Sequence, residues 1–221
     1  SEVWVSENEV TCSLDLTGAP LGLYDVVVIN PSLMEGSLPE GFEVVQSNVI
    51  YVDDSNTSGI EDGSMQHPYN TIQEGLAAAS AGWEVWVDDS GGDYMGPVTL
   101  VADVALISVN WDDSDGDDEA RIYIGSTTSC VLGADDATIE GFEIDGHRCG
   151  IECNGTSPDI IDCRVVNMRY GTARAVWLRN GSHAHLDGVE IYDVNNNTNP
   201  GYATFYGMLI DSCDASGGEH V

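Results

Sequence analysis

Carboxylates crowd one short stretch of the sequence, Trp111 to Glu119, which reads WDDSDGDDE. Such a density of negative charge is unfavourable unless water or a cation compensates it, and calcium takes six to eight oxygen ligands of this kind. The stretch therefore predicts either a calcium-binding loop or a solvated acidic loop. The candidate ligands are Asp112, Asp113, Asp115, Asp117, Asp118 and Glu119.

Part of this stretch, Asp113 to Gly116, reads D-x-D-G and resembles half of an EF-hand loop. Trp111 stands at the first ligand position, however, and Ile122 stands where such a loop has its closing bidentate glutamate. A second candidate calcium site is the pair Asp53 and Asp54, in a polar loop earlier in the chain. In both places the alternative is an acidic loop without a metal.

Aromatic residues late in the chain are candidates for carbohydrate binding. Tyr202, Phe205 and Tyr206 follow an asparagine-rich stretch that is too long for a simple turn, and exposed aromatic rings pack on sugar rings. The alternative is a loop that covers the core. His183 and His185 alternate on a predicted strand, so both imidazoles face one side, either towards a divalent metal or towards solvent.

Sequons for N-glycosylation occur four times, which fits a glycosylated surface protein. They begin at Asn56, Asn154, Asn180 and Asn196.

The charge balance is extreme. The 221 residues carry 38 acidic side chains against six Lys plus Arg, a formal net charge of -32. Such a polyanion repels nucleic acid and anionic membrane surfaces, so we expect neither partner. No run of 18 apolar residues is present, so membrane insertion is not expected either. The composition suits a secreted or cell-surface protein in a saline or calcium-rich medium.

Cysteines offer two alternatives. The chain has six, an even number, which permits up to three disulfides in an oxidising compartment. The second alternative is free thiols packed in the core as small hydrophobic groups. Their spacing does not match a zinc site.

The first 46 residues read as short strands. Alternation in VTCSLDL and the apolar run Val26–Ile29 predict a small β-sandwich with that run buried. The segment LTGAPLGLYDVVVINPSLMEGSLPEGFEVV resembles the closing strands of TIG/IPT-type immunoglobulin-like modules. The opening strands of such a module are missing, so the resemblance implies a partial module over residues 1–46 with an unpaired edge.

Residues 47–97 contain the one convincing helix. Asn70 or Thr71 can cap this helix, and Thr71 fits a capping box with Glu74. Ile72 and Leu76 fall on one stripe, and Gly82 is placed to end the helix. The order YVDD, PYNTIQEG, helix, GWEVWV and GGDY resembles the N-terminal cap of pectate-lyase-like right-handed parallel β-helices. The resemblance implies that the helix closes the first coil of a β-helix.

Residues 98–221 contain a repeated sequence pattern. The segments ATIEGFEIDG, SPDIIDCRVVNM and SHAHLDGVEIYDV align at Ile139, Ile160 and Leu186, with a further short strand between each pair. This spacing predicts the coils of a solenoid, about five in this part of the chain. The predicted fold class is therefore all-β, a right-handed single-stranded parallel β-helix with an N-terminal capping α-helix, plus the partial immunoglobulin-like β-sandwich.

The resemblance also raises the possibility of an enzyme, since many pectate-lyase-like proteins degrade acidic polysaccharides. Lyases of that group use calcium carboxylates and a basic side chain over the substrate. The related hydrolases carry a G-H-G and an R-x-K motif, but the chain has no Lys and Gly146-His147 lacks the second Gly. Candidate bases are Arg148, Arg164, Arg169, Arg174 and Arg179, and candidate carboxylates are Asp145, Asp162 and Asp187.

Three hypotheses follow from the sequence. The first is a non-catalytic structural or adhesive protein, secreted or on the cell surface, calcium-stabilised and self-associating or joined to neighbouring modules through donated strands or stacked coils. The second is a polysaccharide lyase or glycoside hydrolase. The third is a carbohydrate-binding module.

Overall fold

The structure is a computed structural model. It describes residues 2–6, 9–12, 19–20, 22–29, 33–44, 48–88, 92–109, 119–168, 172–192 and 206–211. The chain forms two compact units, Ser1–Ser47 and Asn48–Val221, and each is described by itself.

The first unit contains two antiparallel pairs of strands among its described residues. The strands are β1 (Glu2–Ser6), β2 (Glu9–Cys12), β3 (Gly22–Ile29) and β4 (Glu35–Val44).

The second unit contains one short helix and parallel strands. Its elements are β5 (Val49–Val52), α1 (Ile72–Ala78), β6 (Glu84–Asp88), β7 (Asp93–Met95), β8 (Val98–Thr99), β9 (Ala105–Val109), β10 (Arg121–Tyr123), β11 (Ser129–Leu132), β12 (Thr138–Glu140), β13 (Glu143–Asp145), β14 (Cys149–Asn154), β15 (Asp159–Ile161), β16 (Arg164–Val166), β17 (Arg174–Arg179), β18 (His185–Asp187), β19 (Glu190–Ile191) and β20 (Tyr206–Asp211).

These strands form three parallel sheets. Sheet I has the order β18-β15-β12-β9-β6-β5, sheet II the order β19-β16-β13-β10-β7, and sheet III the order β20-β17-β14-β11-β8. From β6 onwards the chain visits sheets I, II and III in turn and then returns to sheet I. We call one such passage a circuit, and the described residues contain five.

One row of apolar side chains in each sheet forms the core. In sheet I, Ile139 pairs with Ile160 and Ile160 with Leu186, as the repeat spacing predicted. Sheet II stacks Ile144 between Ile122 and Val165 in the same way. A short strand cannot bury an apolar face alone, so each circuit depends on the next for its core. Sheet III adds the row Val98, Val131, Ile151, Val176 and Met208.

Helix α1 begins where the sequence predicted. The Thr71 hydroxyl accepts a hydrogen bond from the Glu74 N–H at 3.2 Å and donates one to the Glu74 carboxylate at 2.5 Å. Ile72 and Leu76 are buried against the first strands of the second unit. Gly75 permits this close approach, because a Cβ there would lie 2.5 Å from a methyl group of Val52.

The predicted end of the helix at Gly82 is wrong. Helix α1 ends at Ala78, and Ala79 leaves it in an extended conformation with φ -72° and ψ 152°. Gly82 instead occupies the turn before β6, where its φ of 79° lies in the left-handed region that favours glycine.

The first unit differs from the predicted sandwich. Val26, Val27, Val28 and Ile29 were expected to be buried, yet 40% to 58% of each residue's surface is exposed. Part of the segment expected to separate strands, including Glu35, is itself within strand β4. An apolar run predicts burial only when a second layer lies against it, and the described residues of β3 and β4 form a sheet of two strands.

We expect Ile144→Ala to lower the free energy of unfolding of the second unit by about 2–5 kcal/mol, because it opens a cavity at a fully buried position. The matched control is Met95→Ala, which truncates a side chain of the same sheet that is 68% exposed. The control is expected to change the free energy by less than about 0.5 kcal/mol. If denaturant titrations show equal losses of unfolding free energy in the two variants, the assignment of Ile144 to the buried face and Met95 to the exposed face of sheet II would be contradicted.

Candidate functional site

The predicted calcium ligands lie only partly within the described residues. Asp112, Asp113, Asp115, Asp117 and Asp118 lie outside them.

The described members of that set are Glu119, Asp53 and Asp54. Glu119 accepts a hydrogen bond from Arg164 at 3.0 Å, and an Asp53 carboxylate oxygen accepts one from the Ser55 N–H at 2.8 Å. Across the described ranges no three His, Cys, Asp or Glu side chains group in a way that could hold a metal ion. Calcium binding stays a prediction.

The predicted carbohydrate-binding aromatics lie late in the chain. Tyr202 and Phe205 fall outside the described residues, and Tyr206 is the first residue of β20. Carbohydrate binding by these three residues stays a prediction. His183 and His185 are exposed, as the solvent-facing alternative predicted, and His185 Nδ1 lies 3.5 Å from a carboxylate oxygen of Asp159.

The sequon asparagines have different environments. The Asn56 amide nitrogen donates to the carbonyls of Ile60 and Pro68 at 2.9 and 2.7 Å, so it holds the polar loop before α1 together. Asn180 donates to Asn154 one circuit earlier at 2.6 Å. Asn196 lies outside the described residues. Glycosylation stays a prediction, and at Asn56 a glycan would have to replace a structural hydrogen bond.

A row of alternating charges runs along the outer face of sheet II. The strand register places these residues directly beside one another on neighbouring strands. Each residue lies one circuit after the one before it, and the order along the row is acid, base, acid, base, acid. We call this row the charge ladder; it consists of Asp93, Arg121, Glu143, Arg164 and Glu190.

Ion pairs connect the ladder from strand to strand. Arg121 lies 2.8 Å from Asp93 and 3.1 Å from Glu143. Arg164 lies 3.5 Å from Glu143 and 4.0 Å from Glu190. Each arginine thus bridges the carboxylates of the circuits before and after it.

Two further carboxylates extend the ladder sideways. Arg121 also pairs with the buried carboxylate of Asp145, which accepts a second hydrogen bond from Asn167 at 2.9 Å. Arg164 pairs with Glu119 at 3.0 Å. Burial lowers the pKa of Arg121, but the hydrogen bond to Asp145 and the charges of Asp93, Asp145 and Glu143 outweigh it, so the pKa is raised. These carboxylates therefore stabilise the charged form of the guanidinium further.

A similar pairing occurs on sheet III. Both Nε and Nη2 of Arg179 donate to one carboxylate oxygen of Glu152, and the other oxygen accepts a hydrogen bond from Ser129. Ion pairs therefore engage three of the five arginines that the structure describes, namely Arg121, Arg164 and Arg179.

The ladder was not predicted from the sequence, although the sequence contains a signal for it. In each strand of sheet II a charged residue directly precedes the residue of the apolar row, as in Arg121-Ile122 and Glu143-Ile144. The sign of that charge alternates from one circuit to the next. Recognising the row requires the register of sheet II, which the sequence analysis had not fixed.

Comparisons with protein-family models, with curated proteins and with solved structures find no match. Nor does any described helix have the length and apolar character needed to cross a membrane.

Four cysteines are free thiols in the core of the second unit, so for them the free-thiol alternative is confirmed. Burial raises the pKa of Cys130 and Cys153 to about 12 and that of Cys149 and Cys163 to about 11. Cys12 lies in β2, and Cys213 lies outside the described residues.

We expect these four thiols to resist a disulfide reagent at pH 8 in the folded protein, because the thiolate is the reactive form. Thiol titration should therefore detect no more than the two remaining cysteines before unfolding. Denaturant should expose the four buried thiols to the reagent. Rapid reaction of more than two thiols in the folded protein would contradict this burial.

The same pKa shifts predict a loss of stability at high pH. The folded-state pKa values lie above the value of 9.0 for a free cysteine thiol, so the folded state favours the protonated thiols. Their contribution is fully present below pH 9 and is lost as the pH rises towards 11 to 12. The melting temperature in reducing buffer should fall across that range.

Proposed function

We propose that the chain is a non-catalytic structural module of a secreted or cell-surface protein. In this proposal the second unit is a right-handed single-stranded parallel β-helix, and α1 closes its first coil. The cyclic order of strands through sheets I, II and III supports the winding, and parallel crossovers are right-handed in nearly all known cases. A net charge of -32 favours solubility of such a module in a saline medium.

The charge ladder is the observation on which this proposal rests. It uses charged side chains of five successive circuits to hold neighbouring strands together, so these groups serve the cohesion of the sheet. Networks of this kind contribute more to the free energy of unfolding than isolated surface ion pairs do, because each added charge is already oriented by its neighbours. A face built in this way is suited to a scaffold.

The lyase alternative fits two of its candidate bases poorly. A lyase of this kind needs a basic side chain that takes a proton from the substrate. Arg164 and Arg179 instead donate to carboxylates, which stabilise the protonated guanidinium. Arg148 and Arg174 form no ion pair among the described residues, so the geometry does not count against these two candidates.

Attachment to neighbours is proposed at strands that have a neighbour on one side only among the described residues. In the first unit, Val28 and Ile29 of β3 are 57% and 58% exposed. In the last circuit of the second unit, Ile191 and Met208 are 36% and 48% exposed, while the same rows are buried earlier. We propose that a second copy or a neighbouring module adds a strand or a coil at such places. Acidic polysaccharide remains a possible further partner, whereas nucleic acid is not proposed.

The ladder is tested by Arg164→Gln, which leaves Glu119 and Glu143 without this partner. We expect it to lower the free energy of unfolding by about 1–2 kcal/mol, since several carboxylates lose one shared cation. The matched control is Arg148→Gln, which removes the same charge from an exposed arginine without an ion pair among the described residues. Arg148→Gln is expected to lower the free energy of unfolding by less than about 0.5 kcal/mol.

The salt dependence gives a second readout of the same variants. Because salt screens exposed ion pairs, the difference between Arg164→Gln and the unmodified protein should shrink as salt rises to about 1 M. Equal losses in the two variants, or a difference that salt leaves unchanged, would show that the ladder is not an electrostatic support.

The structural role and the proposed calcium dependence are tested together. Calcium is expected to raise the melting temperature and a chelator to lower it, since cations would neutralise the excess of carboxylates. Sedimentation at increasing protein concentration should show association. A sharp monomer indifferent to the chelator would exclude the calcium-stabilised, self-associating form of the proposal. New unsaturated or reducing ends on acidic or neutral glycans would instead establish an enzyme.

A further inference from the structure

Two arginines are not engaged by carboxylates. Among the described residues, neither Arg148 nor Arg174 forms an ion pair, although the chain carries 38 acidic side chains. Both line the same open groove of about 440 Å³ on sheet III, between residues of β11, β14 and β17. The cationic side chains of this protein, histidine aside, are six arginines. The described residues place two of them, without an ion pair there, in one groove.

Trp177 holds one of these arginines in place. The guanidinium carbon of Arg174 lies 4.1 Å from the centroid of the Trp177 ring, and that of Arg179 lies 4.5 Å from it. Arginine over an indole is a favourable cation–π arrangement. Because two guanidinium groups already contact the ring, Trp177 serves to position these cations. The groove therefore offers a ligand N–H donors rather than a free aromatic face.

Two of these donors lack an acceptor. Arg174 Nε and Trp177 Nε1 are inaccessible to solvent and have no hydrogen-bond partner among the described residues. A buried donor without an acceptor costs about 1–3 kcal/mol. Because both atoms are closed to solvent, a ligand in the groove contacts the exposed Arg148 and the remainder of the Arg174 guanidinium rather than these two donors.

Glu152, the acidic side chain that the described residues contribute to the groove, does not neutralise these arginines. Only 11% of the Glu152 side chain is exposed, and its two oxygens are engaged by Arg179 and Ser129. Among the described residues, no carboxylate therefore pairs with Arg148 or Arg174, on a protein whose net charge is -32.

We propose that this groove binds the carboxylate group of a small acidic ligand, of the size of one sugar acid or one acidic amino-acid residue. Arg148 and Arg174 supply the positive charge, and a guanidinium presents paired N–H donors that match the two oxygens of a carboxylate. The volume lies in the range of small-molecule sites. This site goes beyond the proposed scaffold role and does not depend on it, because the scaffold is tested by stability and association and the groove by binding.

The test uses the indole N–H resonance of Trp177 in protein labelled with ¹⁵N, assigned by its loss in Trp177→Phe. The probes are D-glucuronate, N-acetyl-L-glutamate and neutral D-glucose, titrated at constant ionic strength. We expect a saturable shift of the resonance with a carboxylate probe and none with glucose. Arg148→Gln and Arg174→Gln should each weaken binding about tenfold or more. Arg164→Gln, which lies outside the groove, should leave the dissociation constant unchanged.

Arg148 is exposed and unpaired among the described residues, so Arg148→Gln is expected to keep the fold, which its melting temperature verifies. Binding of both acids supports a site for the carboxylate itself. Binding of glucuronate alone identifies a sugar acid as the source of the carboxylate, and binding of N-acetylglutamate alone identifies an acidic peptide side chain. No saturable shift with either acid, an equal shift with glucose, or unchanged affinity in both groove variants would overturn the proposal.

Discussion

In-register stacking of one circuit on the next is the constraint on which the rest of this structure depends. Strands of two to six residues cannot bury an apolar face by themselves, so each row of the core exists only because the next strand repeats it. Ile144, between Ile122 and Val165, is one such position. The same register fixes the outer face, where strands about 4.8 Å apart bring side chains of successive circuits into contact. The charge ladder is thus a consequence of the stacking that builds the core.

The elements that could be predicted from the sequence are those set by local chemistry or by apolar period. Thr71 caps α1 because a hydroxyl at that position can satisfy a free N–H of the first turn. Ile139, Ile160 and Leu186 align because burial requires an apolar residue once per circuit. Neither inference needs knowledge of distant contacts.

The elements that could not be predicted depend on which segments become neighbours. The apolar run at Val26–Ile29 gives no information on whether a second layer covers it, and the described hairpin leaves it exposed. The ladder depends on the register of sheet II, because an outward charge is compatible with solvent whether or not a partner lies beside it. The groove on sheet III also depends on which strands become neighbours, because Arg148 precedes β14 whereas Arg174 begins β17. In the sequence alone, these two arginines are separate candidate bases.

The sharpest test of this account is whether residues one circuit apart touch in solution. Methyl nuclear Overhauser effects report proton pairs within about 5 Å, the spacing of neighbouring strands. We expect cross-peaks from Ile160 to both Ile139 and Leu186, and from Ile144 to Val165. If these isoleucines give strong cross-peaks to other methyl groups but none to their partners one circuit away, the stacking that the core, the ladder and the groove all require would be contradicted.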